Sequence, residues 1–141
     1  MGDRTNCRLT VFGGPLSPED SHTLSLALEK AWPSEIEDDS LRFEDVNYGE
    51  IYTDLKTSLT DLGLSFSWSW EPGGTYDAGI LLYNAETKAS EEFATSDGDF
   101  VFTLDEIDTK PERIQAGRDW WKWLQDAEPM TLPPIQKGQP F

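Results

Sequence analysis

Apolar and polar positions change period several times along this chain, and each change marks an element. Residues Cys7 to Phe12 alternate and are rich in β-forming side chains, which predicts a first strand ended by Gly13, Gly14 and Pro15. Ser17 then stands as an N-cap before Pro18, and Leu24, Ala27, Leu28 and Ala31 recur at helical spacing. This predicts an amphipathic helix from Pro18 to Trp32, stopped by Pro33. Ser34 to Ser40 has no apolar period and reads as an acidic loop, and Leu41 to Val46 as a short second strand. Asn47 is placed to cap a second helix with the stripe Tyr48, Ile51, Tyr52, Leu55, Leu59 and Leu62. Gly63 falls where a left-handed C′ residue belongs, with Leu64 placed for the accompanying apolar contact.

Ser65 to Trp70 has a strict period of two, with Phe66, Trp68 and Trp70 on one face and only serines on the other. The aromatic face reads as the core side of a sheet, the alternative being a flat platform for a sugar or a base. Glu71-Pro72-Gly73-Gly74 predicts a turn, and Ala78 to Tyr83 a further strand. A strand around Ala89 to Thr95 meets Phe100 to Leu104 through Ser96-Asp97-Gly98-Asp99, in which Asp-Gly is a hairpin signal. Thr109 with Glu112 forms a capping-box pattern, so a third helix is expected from about Lys110 to Gln125, with Ile114, Gly117, Trp121 and Leu124 on one stripe. The expectation is a single α+β domain over residues 1–125, of order β-α-β-α-β-β-β-α, with a mixed or antiparallel sheet and helices mainly on one face. Residues 126–141, with Pro129, Pro133, Pro134 and Pro140, read as an extended tail, docked or mobile.

Composition narrows the class. Hydrophobic residues make up 37 % of the 141, with six Trp and seven Phe, enough for a real core despite the charge. No apolar run approaches the roughly 18 residues of a membrane span, and Met-Gly-Asp-Arg-Thr-Asn lacks a signal-peptide pattern. The single Cys7 has no internal disulfide partner, so a cytoplasmic protein is expected.

No motif for chemistry emerges. His22 is the one histidine, and a Cys–His or Ser–His site would require it to meet Cys7 or a serine across the fold. One Cys and one His do not supply the usual zinc ligands. Asp97, Asp99, Asp105, Glu106 and Asp108 do not follow the order of a calcium loop, and Gly13-Gly14 lacks the Lys-Ser/Thr of a phosphate loop. No catalytic, metal or cofactor residue is expected, and the chain reads as a non-enzyme. A hydrolase using a carboxylate pair is kept as an alternative, because any acidic protein contains many such pairs.

Charge changes the picture most. Asp plus Glu number 27 against 11 Lys plus Arg, a formal net charge of −16. Such a surface repels nucleic acid and anionic membranes, so neither is expected as a direct partner. The acids are also uneven: eight lie between Glu35 and Asp54 against Arg42 alone, and eight between Glu86 and Asp108 against Lys88 alone. Solvation is the plain alternative explanation of this acidity. A negative surface that serves a function attracts basic clefts, and these belong above all to proteins that bind DNA or RNA.

In size and charge, though not in any motif, the chain resembles the small acidic inhibitors that phages and plasmids carry against restriction or CRISPR nucleases, and the immunity proteins of nuclease toxins. That resemblance implies a nucleic-acid mimic docking on a basic nucleic-acid-binding effector or nuclease. The candidate contacts are Glu35, Glu37, Asp38, Asp39, Glu44 and Asp45 first, then Glu91, Glu92, Asp97 and Asp99. Trp120, Trp121 and Trp123 point in different directions on a helix, which makes Trp120 and Trp123 candidate anchors or leaves them under the tail. The remaining alternatives are a housekeeping adaptor, which the same surface would serve, and a non-catalytic module that binds a sugar or small ligand on the Trp-rich face.

Overall fold

Alternation along Thr5–Phe12 (β1) sends Cys7, Leu9 and Val11 to one side of the strand and Arg8 and Thr10 to the other. This strand organises the rest of the computed structural model, which describes residues 5–31, 33–46, 48–72 and 77–133. On one flank β1 pairs with β3 (Ser40–Val46), which pairs in turn with the two-residue β2 (Glu35–Ile36). On the other flank it pairs with β4 (Ser65–Trp70), followed by β5 (Gly79–Asn84), β6 (Ala89–Ser96) and the two-residue β7 (Asp99–Phe100). Every pairing is antiparallel, and the sheet runs β2-β3-β1-β4-β5-β6-β7.

Register fixes what each face carries. Leu9 lies between Leu41 and Trp68, and Cys7 between Phe43 and Trp70, so these side chains share one face with Val11 and Phe66. Helices α1 (Pro18–Lys30) and α2 (Tyr48–Asp61) cover that face, closing the main core with Leu24, Leu28, Leu55 and Leu59. Phe66, Trp68 and Trp70 are all buried in it, so the aromatic face of β4 is the core side.

Capping follows the sequence signals at α1 and α2. The Ser17 hydroxyl accepts from the Asp20 amide at 3.1 Å, with Pro18 at the first helical position. Trp32, expected as the last residue of α1, and Asn47, the expected cap of α2, lie outside the described residues, as does the Gly73-Gly74 part of the predicted turn. Gly63, at φ +70°, ends α2: its amide donates to Thr60 and that of Leu64 donates to Leu59, the bonds of a Schellman motif.

The opposite face has its own, smaller core. Ile80, Leu82 and Phe93 point there and are covered by α4 (Pro111–Asp126) through Ala116, Trp120, Trp123 and Leu124. The expected α+β class and its element order hold, and the helices divide, with α1 and α2 on one side and α4 on the other. The stripe of α4 accordingly runs through Trp120 and Trp123, while Trp121 stands edge-on to Phe100 with ring centroids 5.0 Å apart.

Three local expectations are corrected. The strand expected over Phe100 to Leu104 ends at Phe100, and Val101 to Thr103 lead into α3 (Leu104–Thr109), which Thr103 caps. The capping box belongs to Thr103 and Glu106 rather than to Thr109 and Glu112. Both pairs fit the Thr-x-x-Glu spacing, but Thr109 is itself helical and its hydroxyl donates to the Asp105 carbonyl at 2.7 Å, so α4 starts from Lys110 without a side-chain cap. The expected acidic loop at Ser34–Ser40 likewise contains β2 and a hairpin turn.

After α4 the chain crosses the end of the sheet. Pro129 bridges to Phe12, the Met130 amide donates to the Val11 carbonyl at 2.9 Å, and Leu132 enters the main core. Residues 134–141 of the expected tail lie outside the described residues.

Candidate functional site

The β2–β3 hairpin assembles the first acidic cluster. Glu35 pairs with Arg42 and Ile36 with Leu41, which leaves Asp38 and Asp39 as the loop between Glu37 and Ser40. The Glu37 amide donates to the Ser40 carbonyl at 2.9 Å, and the Ser40 hydroxyl to the Glu37 carboxylate at 2.9 Å. From outside, the Leu132 amide donates to the Asp38 carbonyl at 2.8 Å, tying the loop to the C-terminal segment. Glu44 lies further along β3, its amide accepted by the Ser34 hydroxyl at 2.9 Å. Glu35, Glu37, Asp38, Asp39 and Glu44 are all exposed. The side chain of Asp45 lies outside the described residues.

Two arginines partly balance this cluster. Arg42 meets Glu35 at 3.0 Å and Arg8 meets Glu37 at 3.8 Å. Both contacts are solvent-exposed and contribute little stability, so they orient side chains more than they remove charge. Among the described residues, Asp38, Asp39 and Glu44 have no ion pair.

The second cluster sits at the far edge of the sheet, on β6 and β7. β2 and β6 are five places apart in the strand order, yet Asp97 of the second cluster lines one groove with Arg42, the partner of Glu35 in the first. Glu92, Asp97 and Asp99 are exposed, with Asp97 at φ 50° and Gly98 at φ 87° in the tight turn. Glu91 differs. Its carboxylate meets the Arg113 guanidinium at 2.6 Å, and the same guanidinium donates to the Glu92 carbonyl and lies 4.4 Å from the Phe93 ring centre. Arg113 thereby ties α4 to the edge strand and blocks part of its open backbone edge. This cross-fold partnership had no local signal in the sequence.

The two tryptophans singled out as anchors are half-buried. Trp123 packs edge-on against Phe12 at 5.6 Å and against Trp120 at 5.2 Å, and both adjoin the smaller core. Trp121 lines a cavity of about 300 Å³ with Phe100, Phe102, Gly117 and Arg118. A larger groove of about 580 Å³ has Arg8, Arg42 and Ser69 among its lining residues, together with the carboxylates Glu71 and Asp97.

Reactive groups are not assembled. His22 is exposed on α1, whereas Cys7 is buried on β1. Burial, aided by the nearby Glu71 carboxylate, pushes the Cys7 thiol up to about 12, so it stays protonated. Among the described residues no three His, Cys, Asp or Glu side chains are grouped as a metal ion requires, and no helix is long and apolar enough to cross a membrane. No family model, curated protein or solved structure matches this chain.

Proposed function

We propose that this protein is an acidic protein-binding inhibitor that sets the β2–β3 hairpin in the basic channel of a nucleic-acid-binding protein, in the manner of a DNA or RNA mimic. One observation carries this reading: Glu35, Glu37, Asp38, Asp39 and Glu44 are all exposed on a hairpin whose backbone is tied down on both sides. Rigid carboxylates can stand in for phosphates and accept charge-assisted hydrogen bonds from Arg and Lys without a large ordering cost. The field of a −16 chain speeds encounter with a basic partner. Glu92, Asp97 and Asp99 give a second, separate contact edge. A restriction or CRISPR effector, or a nuclease toxin, has the required basic channel, and such a target places the protein in the cytoplasm.

The burial of Phe66, Trp68 and Trp70 removes the open ring platform on which a sugar-binding reading would rest. The test is affinity capture from the source cell with this protein as bait, elution by a salt gradient, and repetition with Asp38→Lys, Asp39→Lys and Glu44→Lys combined. A basic nucleic-acid-binding protein should elute at moderate salt from the wild type and at least tenfold more weakly from the triple variant. Equal retention by that variant, and by one reversed at Glu92, Asp97 and Asp99, overturns the reading.

A further inference from the structure

Helix α3 is not held in place by burial. None of its six residues is buried, and helices this short are not stable alone in water. Side-chain bonds hold it instead. The Thr103 hydroxyl accepts from the Glu106 amide at 3.1 Å, and the Glu106 carboxylate accepts from the Thr103 amide at 3.0 Å. The Arg113 guanidinium adds a contact to Glu106 at 4.0 Å.

What this braced turn presents is apolar. Leu104 is 80 % exposed and Ile107 52 %, three residues apart and therefore on one face. Val101, just before the helix, is 41 % exposed, while its neighbours Phe100 and Phe102 are drawn into the smaller core. These are three of the four large hydrophobic side chains exposed among the described residues, the other being Leu26 on α1. Scattered exposed aliphatics need no explanation, but two on one face of a capped turn, with a third just before it in the chain, resemble the anchors of an interface.

The charges around the patch define its occupant. Asp97 and Asp99 precede it, and Asp105 and Asp108 interleave with Leu104 and Ile107; all four are exposed, against Lys110 after the helix, Arg113 on Glu106 and Arg118 in the pocket beside Asp99. A second copy of this chain would bring the same carboxylates against themselves. We infer that Val101, Leu104 and Ile107 form an anchor for a partner segment that carries large aliphatic side chains flanked by Lys or Arg, such as a basic amphipathic helix. The inference rests on the reading of this protein as an acidic binder, and it puts the apolar anchor beside the Asp97–Asp99 edge, away from the β2–β3 hairpin. The hairpin supplies charge and steering, and the α3 patch supplies slow dissociation.

The experiment titrates the full chain, labelled with ¹⁵N, with two synthetic 14-residue peptides: an amphipathic helix of Leu and Lys, and oligo-lysine. The Leu/Lys peptide should bind at least tenfold more tightly, with amide shifts concentrated between residues 97 and 108. Leu104→Ser with Ile107→Ser should reduce its affinity to that of oligo-lysine, while Asp38→Lys with Asp39→Lys should preserve the ratio between the two peptides. Equal affinity of the two peptides, shifts centred elsewhere, or an undiminished preference in the Leu104→Ser/Ile107→Ser variant overturns the anchor. So does self-association of the wild type that this variant abolishes. Any of these results leaves the hairpin reading standing, since that falls only on the capture experiment with its own charge reversals.

Discussion

The indole of Trp70 occupies the space that a side chain on Gly79, its cross-strand partner, would need. A Cβ at residue 79 would lie 2.5 Å from Trp70 Cζ2, 2.9 Å from Cε2 and 3.2 Å from the Phe93 carbonyl oxygen. The ring has little freedom to yield, because Nε1–H donates to the Asp77 carbonyl at 3.1 Å and the side chain is buried in the main core. Gly79→Ala should therefore destabilise the protein by about 2 kcal/mol, the middle of the range for overpacking. Urea unfolding checks it, with Trp70→Leu in the Gly79→Ala background as the relieving change. An unchanged midpoint for Gly79→Ala would mean that the indole moves aside at no cost.

The capping box of α3 gives a local prediction. Replacing a capping Thr by Ala costs about 1 kcal/mol, which is about a fivefold change in a local opening equilibrium. Because α3 buries no side chain, the loss should appear as fraying rather than global unfolding. Thr103→Ala should speed hydrogen exchange at the amides of Ile107 and Lys110, which donate to the Thr103 and Glu106 carbonyls, about fivefold. Thr109→Ala should change them less, since its hydroxyl only doubles a bond to the Asp105 carbonyl inside the helix. Equal effects of the two substitutions would count against the observed cap.

Acid should loosen the same turn. The backbone N–H of Thr103 holds the Glu106 carboxyl below the usual glutamate range, opposed by partial desolvation and supported by the Thr103 hydroxyl, Arg113 and Lys110. A depressed folded value means that the stabilisation is complete above the unfolded value of about 4.3 and is lost as pH falls through the folded value. The protection factor at Ile107, its exchange relative to the intrinsic rate at each pH, should fall across that acid range in the wild type, and Glu106→Gln should flatten the dependence. A wild-type profile as flat as that of the variant would contradict the sign.

Much of this architecture was legible because its local and tertiary preferences agree. Ser17 supplies the cap hydrogen bond, Gly63 and Asp97-Gly98 sit at positive φ where few residues fit, and the alternation of Ser65–Trp70 coincides with its buried face. The capping box is ambiguous in sequence because Thr103 with Glu106 and Thr109 with Glu112 have the same spacing, and only the hydrogen bonds of the folded chain distinguish them. Division of the helices between two faces was hidden for a related reason. In β5, Ile80 and Leu82 look no different from Leu81 and Tyr83, because a strand covered on both sides loses its polar alternation. The acidic clusters were visible as sequence, but their separation onto opposite sheet edges depends on a strand order that charge does not encode.

Cys7 should be silent in the native protein. Its thiol is buried and pushed up to about 12, so the reactive thiolate is scarce at pH 8. An aromatic disulfide reagent should release almost no chromophore from the folded chain and one equivalent in denaturing urea, at a rate set by unfolding. Rapid stoichiometric release without denaturant would place the sulfur at a surface.

Leu132 joins stability to the acidic β2–β3 hairpin. Its side chain is buried in the main core, while its amide holds the Asp38 carbonyl at the tip of the β2–β3 turn. Leu132→Ala removes the first contact and keeps the second, and should cost about 2–3 kcal/mol as a large-to-small core change. Truncation after Ala127 removes both, together with the bonds of Pro129 and Met130 to β1. Amide exchange at Glu37, which donates to Ser40 across the turn, separates the two roles. It should follow global stability in Leu132→Ala and exceed it in the truncation, because only there does the turn lose its outside hydrogen bond. The truncated chain should also lose more affinity for a basic partner than Leu132→Ala does, at a temperature where both are folded. Equal affinity losses would mean that the C-terminal segment serves the core alone.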